Sequence, residues 1–152
     1  MIKNIFTKEV TNALIDRINN LTPTTQPQWG KMSVAQMLAH CNVAYEMIFE
    51  PGKHPRPNAV MRFFIKLMAK KAVVNDQPYP KNSRTAPAFL VSSEKDFDKE
   101  KTRLIDYLKK VQELGEDHFH NLESHSFGPL TKEEWSNLFY KHLDHHLGQF
   151  AV

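Results

Sequence analysis

The sequence predicts an all-α fold, a four-helix bundle with an additional helix and long crossover loops. Three observations support this class. Five segments carry apolar residues at the helical spacings of three and four, serine or threonine caps precede several of them, and stretches rich in proline separate them. The chain of 152 residues is long enough to bury one core, so we expect a single domain over residues 1–152.

The composition is typical of an ordered domain inside the cell. Hydrophobic residues make up 41% of the chain, and the net charge of +3 is too small to imply a nucleic-acid partner. The lone cysteine, Cys41, excludes an internal disulfide framework and is typical of a small buried side chain. Residues 1–20 lack the apolar core of a signal peptide, and no segment has the ~20 consecutive apolar residues of a membrane span. We therefore expect a cytoplasmic protein with no membrane span.

Caps and breakers mark the first two helices. The first is predicted over residues 7–20, with Thr7 as its N-cap. The second is predicted over residues 33–50, where Ser33 and Gln36 form a capping box. Its buried face comprises Val34, Met37, Leu38, Cys41, Tyr45 and Ile48.

The third helix, predicted over residues 59–74, is unusually apolar, yet Arg62, Lys66 and Lys70 trace a stripe along it. Residues 51–75 contain six lysines or arginines and no acid. One interpretation is a basic amphipathic helix that meets a membrane surface, a partner or phosphates. The other, which we favour from the sequence, is a core helix with a solvated cationic edge.

A long loop with three prolines and no helical period follows over residues 76–92, with an extended stretch predicted at 88–91. A loop of this length is either a lid over a functional site or a crossover between distant helix ends. The fourth helix is predicted to begin after Ser93, with Asp96 completing its capping box, and to end at Gly115.

Residues 116–130 read as a second loop, and the final helix is predicted over residues 131–150. Thr131 and Glu134 form a capping box at its start. The stripe of this helix comprises Trp135, Leu138, Phe139, His142, His146 and Phe150.

The last helix carries three histidines within five positions. His142 and His146 are four residues apart on one helix face, so both imidazoles can reach a single metal ion. His40, which points inward from the second helix, is the natural third ligand because bundle metal sites are assembled from facing helices. His145 lies about 60° from His142 around the helix, and it is either a neighbour of the site or a surface residue. Gln149 is a candidate neighbour of the site.

Three imidazoles suit Zn²⁺, Ni²⁺, Cu²⁺ or Fe²⁺ and leave coordination positions for water or substrate. Other metal-site patterns are missing. Leu143 follows His142, so the metalloprotease pattern His-Glu-x-x-His is absent, and Asp144 faces away from the histidine pair. Neither His40 nor His142 has a glutamate three residues before it, as a diiron site requires. The alternative is that these histidines pack and form hydrogen bonds without a metal.

Three segments of the chain resemble a family of small bacterial proteins. They are residues 29–41 (WGKMSVAQMLAHC), 127–135 (FGPLTKEEW) and 140–150 (YKHLDHHLGQF). That family looks like a branch of the DinB-like superfamily, which also contains bacillithiol- and mycothiol-dependent transferases and a maleylpyruvate isomerase. The resemblance covers most of the chain and is densest near its two ends.

The resemblance implies a four-helix bundle, often dimeric, that binds a divalent metal through three histidines. By residue type and position these correspond to His40, His142 and His146. We expect a zinc, nickel or iron ion there, and a homodimer. The first functional hypothesis is a metal-dependent transferase that binds a small thiol, or another small-molecule substrate, at the open metal position. The second is a non-catalytic binding module with structural histidines or a structural metal, whose basic region over residues 51–75 contacts a partner.

Overall fold

The computed structural model describes residues 2–152, so of the predicted domain only residue 1 lies outside the described part. The predicted all-α class is confirmed. Residues 2–152 contain five α-helices: α1 Lys8–Asn19, α2 Val34–Phe49, α3 Ala59–Val74, α4 Phe97–Phe119 and α5 Lys132–Gln149. A short 3₁₀ turn, Pro87–Phe89, precedes α4, and a two-stranded antiparallel sheet, β1 Glu123–Ser124 with β2 Gly128–Pro129, precedes α5.

Side-chain caps mark the starts of α2 and α5, the helices that carry the histidines of interest. At the start of α2, Ser33 accepts the backbone N–H of Gln36, and the Gln36 side chain accepts the backbone N–H of Ser33. Thr131 and Glu134 form the same reciprocal pair at the start of α5. Both predicted capping boxes are confirmed, and each satisfies two amide groups that a helix end would otherwise leave unpaired.

The core lies where α2 packs against α4, with α5 and α1 closing the remaining sides. Tyr45 stacks between Tyr107 and Phe139, with ring centroids 5.5 Å and 4.9 Å away. Such stacked pairs add attraction beyond the area that they bury. The fully buried large side chains include Phe119, Phe139, Phe150, Ile5, Leu14, Ile18, Met37, Leu38, Leu104 and Leu108.

Helix α4 differs from its predicted bounds at both ends. It begins at Phe97 with Asp96 as its N-cap, so the prediction that Ser93 caps it is wrong. Gly115 does interrupt the helix, with a φ of +75°, but helical geometry resumes as far as Phe119. The chain turns back into a helix because Phe119 is fully buried and packs against Phe6 and the α5 aromatics.

The two predicted loops contain short regular elements. Residues 116–130 include the β1–β2 hairpin, in which the Ser124 hydroxyl donates to the Gly128 carbonyl and accepts the Phe127 N–H. The stretch 88–91 was predicted to be extended, but its first residues close the 3₁₀ turn instead. A turn of three residues has no periodicity that a sequence pattern could reveal.

Helix α3 has the predicted bounds, but the prediction that it is a core helix is wrong. Of its residues only Val74 is buried. The cationic stripe faces the body of the protein, where Arg62 pairs with Glu123 of β1 and Lys70 pairs with Glu134 of α5. Its apolar side therefore faces outward.

The C-terminal end of α3 is held by a buried lysine of α5. Lys141 is only 2% exposed, and its ammonium donates to the Ala72 carbonyl at 2.9 Å and to the Asn75 side chain at 2.6 Å. The same ammonium lies 4.5 Å from the ring centroid of Tyr79. Burial lowers the pKa of Lys141 to about 8. Helix α3 is thus attached to the bundle mainly through polar groups.

A network of charged side chains joins α2 to α4 on the other side of the bundle. Glu46 is buried and pairs with Arg103, Lys53 and His54. Glu50 accepts hydrogen bonds from Lys53 and Tyr107, and these lower its pKa to about 2. The helices in the described part of the chain are all too short or too polar to cross a bilayer.

Candidate metal centre

The fold brings His40 of α2 together with His142 and His146 of α5. One nitrogen of each ring lies within 4.8 Å of a nitrogen of the other two. The ring centroids are 4.9 Å apart for His40 and His142, 4.5 Å for His40 and His146, and 4.9 Å for the α5 pair. The prediction that these three residues converge is therefore confirmed, and we call them the histidine trio.

The local sequence explains why the trio points inward. On α5, the buried Leu143 and Leu147 each follow a trio histidine directly and pack into the core, which fixes the rotation of the helix. On α2, His40 stands between Ala39 and Cys41, which are both buried. Each histidine therefore lies on a helix face whose orientation is set by apolar packing, and this packing brings the trio together.

Hydrogen bonds outside the trio orient two of the rings. The Nδ1–H of His40 donates to the Phe89 carbonyl at 2.9 Å, since a carbonyl can only accept. The Nδ1–H of His146 donates to Oε1 of Gln149 at 2.9 Å. The Gln149 amide is itself oriented because its Nε2 donates to the Trp29 carbonyl at 2.7 Å. In both rings Nε2 is left with a lone pair, as in protein metal sites where the other ring nitrogen is held by a carbonyl or carboxylate.

The third ring completes the arrangement. Nε2 of His142 lies 2.9 Å from Nε2 of His40. Because Nε2 of His40 carries a lone pair, Nε2 of His142 donates its hydrogen to it. His142 is half-buried, whereas His40 and His146 are buried. Of the three residues, His142 is therefore the most exposed to solvent.

Burial keeps the trio uncharged. It lowers the pKa of all three imidazoles. Charge repulsion from other trio rings lowers the pKa of His142 and His146 further, and repulsion from His145 lowers that of His40. The pKa of His146 falls to about 3. At neutral pH each ring is thus a neutral donor of a lone pair, which is the form in which histidine binds metal ions.

Phe89 covers the trio. Its ring centroid lies 5.5 Å from that of His40 and 5.6 Å from that of His142, and its carbonyl holds Nδ1 of His40. The loop over residues 76–92 therefore reaches the histidines, as the lid interpretation of that loop predicts. The sequence did not single out Phe89 itself, since a lone aromatic in a loop has no pattern around it.

His145 lies next to the trio rather than in it. Its ring is half-buried between Trp29 and Tyr79, at 5.8 Å and 5.9 Å between centroids, and is 5.0 Å from the ring of His146. Of the two possibilities left by the sequence, a neighbour of the site is correct. Trp29, whose carbonyl orients Gln149, also contributes to the site, and the sequence did not predict this role.

Gly30 shows how closely the Trp29 loop approaches the site. A Cβ at this position would lie 2.6 Å from Nε2 of Gln149, and the φ of Gly30 is +82°. The backbone conformation therefore favours glycine, and a larger residue would displace the Gln149 amide. Gln149 was a predicted neighbour of the site, and this prediction is confirmed by its hydrogen bond to His146.

Cys41 takes no part in the trio. It is fully buried, its thiol donates to the Met37 sulfur at 3.7 Å, and burial raises its pKa well above the usual range. The predicted role of a small buried side chain is confirmed, because a reactive thiol needs a lowered pKa and access to solvent.

Two surface grooves lie away from the trio. One, of about 580 Å³, lies between α3 and α5 and has Phe63, Leu67 and three lysines along its walls. The other, of about 390 Å³, lies between the N-terminal segment and the end of α4 around Gly115. Neither is lined by a histidine, so the chemistry of the trio is assigned from the convergence of its nitrogens rather than from these grooves.

A protein-family model described as "Protein of unknown function (DUF1569)" matches residues 5–152. The match includes the whole bundle and all three histidines of the trio. No curated protein and no solved structure gives a match.

Proposed function

The chain belongs to the DUF1569 family, and we propose that it binds a divalent metal ion through His40, His142 and His146. The single observation that carries this proposal is the convergence of three imidazole nitrogens within 4.8 Å. The ligands come from two helices and each is held by the packing of its own helix. They are neutral, and hydrogen bonds to Phe89 and Gln149 leave Nε2 available on two of them.

The hydrogen-bond inventory favours this role over packing alone. Three nitrogens meet, but a single N–H, that of His142, lies between His40 and His142. Facing lone pairs repel each other, and a cation placed among them removes that repulsion. Only His142 has to change tautomer in order to offer Nε2, and its Nδ1 is not held by another protein group among the described hydrogen bonds.

The donor set restricts the kind of ion. Three neutral imidazoles with no carboxylate suit Zn²⁺, Ni²⁺ or Fe²⁺ rather than Mg²⁺ or Ca²⁺, which prefer oxygen ligands. Three protein ligands also leave coordination positions for a small molecule, unlike a closed structural zinc site with four.

A more specific form of the proposal is a small-thiol transferase, which the resemblance to the DinB-like superfamily supports. A divalent ion lowers the pKa of a thiol that binds it, and the thiolate is the nucleophilic form. The residues of this chain would position such a substrate: Phe89 covers the trio, and His145, Trp29 and Tyr79 form a wall of rings beside His146.

Metal analysis of the protein purified without a histidine tag tests the proposal. Mass spectrometry of the wild-type chain should find close to one divalent ion per chain, and His142→Ala should lose it. His145→Ala is the matched control on the same helix turn and should retain the ion. Equal metal content in wild type and His142→Ala would show that the trio is not the site.

The transferase form has its own test. Transfer of a thiol such as bacillithiol or mycothiol to an electrophile should require the metal-loaded wild type and be absent from His142→Ala. Metal binding without any transfer would leave the metal site in place and remove the transferase proposal.

A further inference from the structure

The outward side of α3 is the largest concentration of exposed apolar side chains in the described part of the chain. Of eight exposed large hydrophobic residues in residues 2–152, six belong to this helix, and they are 51% to 81% exposed. We call them the α3 face: Val60, Met61, Phe63, Phe64, Leu67 and Met68. A contiguous apolar surface of this kind marks an interaction site rather than ordinary surface variation.

The orientation of α3 is fixed by contacts on its opposite side. Arg62 and Lys70 pair with Glu123 and Glu134 of the bundle, and Lys141 binds carbonyl and amide oxygens at the C-terminal end of the helix. Rotating the helix to bury the α3 face would break these ion pairs. The apolar side is therefore presented outward by the fold.

The charged side chains of α3 and of the linker before it are all positive. Residues 51–75 contain no acid. Lys66 and Lys71 form no ion pair within residues 2–152, and Lys71 follows Leu67 and Met68 by four and three residues, which places it on the face itself. Lys66, Lys70 and Lys71 also line the groove of about 580 Å³ beside Phe63 and Leu67, together with Glu134, whose carboxylate pairs with Lys70.

This charge pattern does not favour a second copy of the chain as the occupant. A symmetric interface brings a surface against itself. Because the α3 surface has no acid, charges that meet across such an interface would have the same sign, and like charges across an interface oppose association. The occupant that complements every charge on this surface is anionic.

We propose that the α3 face binds the surface of an anionic phospholipid bilayer. The helix is convex and has flexible methionines and two phenylalanines, so it suits a fluid apolar layer better than a shaped pocket. Its apolar residues would enter the boundary between headgroups and acyl chains, while Lys71 contacts lipid phosphates. With 16 residues, α3 lies in the plane of the interface and does not cross the bilayer.

Vesicle co-sedimentation tests this binding. The full chain should sediment with phosphatidylcholine vesicles that contain phosphatidylglycerol, and binding should weaken as salt is raised. Binding to pure phosphatidylcholine vesicles should be weaker by roughly fivefold for each lysine that meets the anionic surface.

Paired variants separate the two contributions. Phe64→Ser with Met68→Ser should lower the partition coefficient at least tenfold on both kinds of vesicle, because apolar area is no longer removed from water. Lys71→Gln should lower the preference for phosphatidylglycerol by about fivefold and leave binding to phosphatidylcholine unchanged. Leu114→Ser changes an exposed apolar residue of α4 and is the matched control, with binding equal to wild type.

Two results would overturn the proposal. One is the absence of sedimentation with phosphatidylglycerol vesicles at low salt by a protein whose circular dichroism shows a folded helical chain. The other is a dimer in light scattering that becomes a monomer in the Phe64→Ser and Met68→Ser variant while vesicle binding is absent. That outcome would assign the α3 face to contact between two copies.

Discussion

Helices α3 and α5 are both rich in apolar residues, but their apolar sides have opposite environments. On α5, Trp135, Phe139 and Leu143 are buried in the core, and the same rotation brings His142 and His146 inward. On α3, the apolar residues face outward and the cationic side meets the bundle.

The difference shows which contacts fix the orientation of each helix in this protein. Helix α5 is oriented by apolar burial, so its polar histidines are carried inward with the core residues. Helix α3 is oriented by ion pairs and by Lys141, so its apolar residues are left outside. An inward histidine and an outward phenylalanine are both exceptions to the usual distribution, and each marks the part of the molecule to which we assign a function.

The largest expected effect compares one leucine from each helix. Leu143→Ala on α5 should lower the free energy of unfolding by about 2–5 kcal/mol, because Leu143 is 1% exposed and its loss leaves a cavity. Leu67→Ala on α3 should change it by no more than about 0.5 kcal/mol, because Leu67 is 71% exposed. Urea unfolding of the two variants measures both values. Similar losses for the two would mean that α3 is part of the core.

Metal binding should stabilise the trio region without involving α3. At a free Zn²⁺ concentration one hundred times the dissociation constant, the wild type should gain about 2.7 kcal/mol in free energy of unfolding. His146→Ala should gain much less, whereas the Phe64→Ser and Met68→Ser variant should gain as much as wild type. Thermal unfolding with and without zinc provides the comparison, and equal gains in wild type and His146→Ala would contradict it.

The sequence predicted all three residues of the trio and little of its cover. His142 and His146 were found because a spacing of four is local information, and Ser33 and Thr131 marked their helices because caps are local too. Phe89 was not found, because its place over the trio depends on how the loop crosses α2. The prediction that α3 is a core helix was wrong because periodicity locates the apolar side of a helix but does not say what that side faces. The ion pairs of Arg62 and Lys70 with the bundle decide which side of α3 faces inward.

A third comparison concerns two glycines with similar backbone angles. Gly30→Ala should weaken zinc affinity by about 10- to 100-fold, because its Cβ would displace Gln149, which orients His146. Gly52→Ala imposes a similar strain, since the φ of Gly52 is +88°, but nothing lies within 4 Å of the added Cβ. It should therefore lower stability and leave zinc affinity as in wild type. Calorimetric titration with zinc tests this pair, and equal affinities would show that Gln149 does not position His146.

The smallest expected effect compares an ion pair with a buried acid and an ion pair with an exposed acid. Arg103→Ala, which removes a partner of the buried Glu46, should cost about 1–2 kcal/mol, whereas Arg56→Ala, whose partner Glu123 is exposed, should cost less than about 1 kcal/mol. Burial raises the pKa of Glu46, but hydrogen bonds from Lys53, Arg103 and His54 lower it below 4.5 overall.

The same network predicts a dependence on pH. Carboxylates with lowered pKa values contribute their full stability above pH 4.5, and this contribution is lost as the pH falls toward the lowered pKa of Glu50, about 2. Arg103→Ala should reduce that loss, so its stability should fall less than that of wild type between pH 4.5 and 2. Urea unfolding over this range measures how the free energy of unfolding changes with pH for wild type and Arg103→Ala. Equal changes in the two would show that Arg103 does not lower the pKa values of these carboxylates.

The most direct test of the central claim is anomalous diffraction at the zinc absorption edge from crystals of the wild-type chain grown with zinc. We expect one strong peak among His40, His142 and His146, at about 2.0–2.1 Å from a nitrogen of each ring. The Nε2 atoms of His40 and His142 should then point to the peak instead of sharing a hydrogen. A map with no peak at the trio and with that hydrogen bond intact at 2.9 Å would contradict the account.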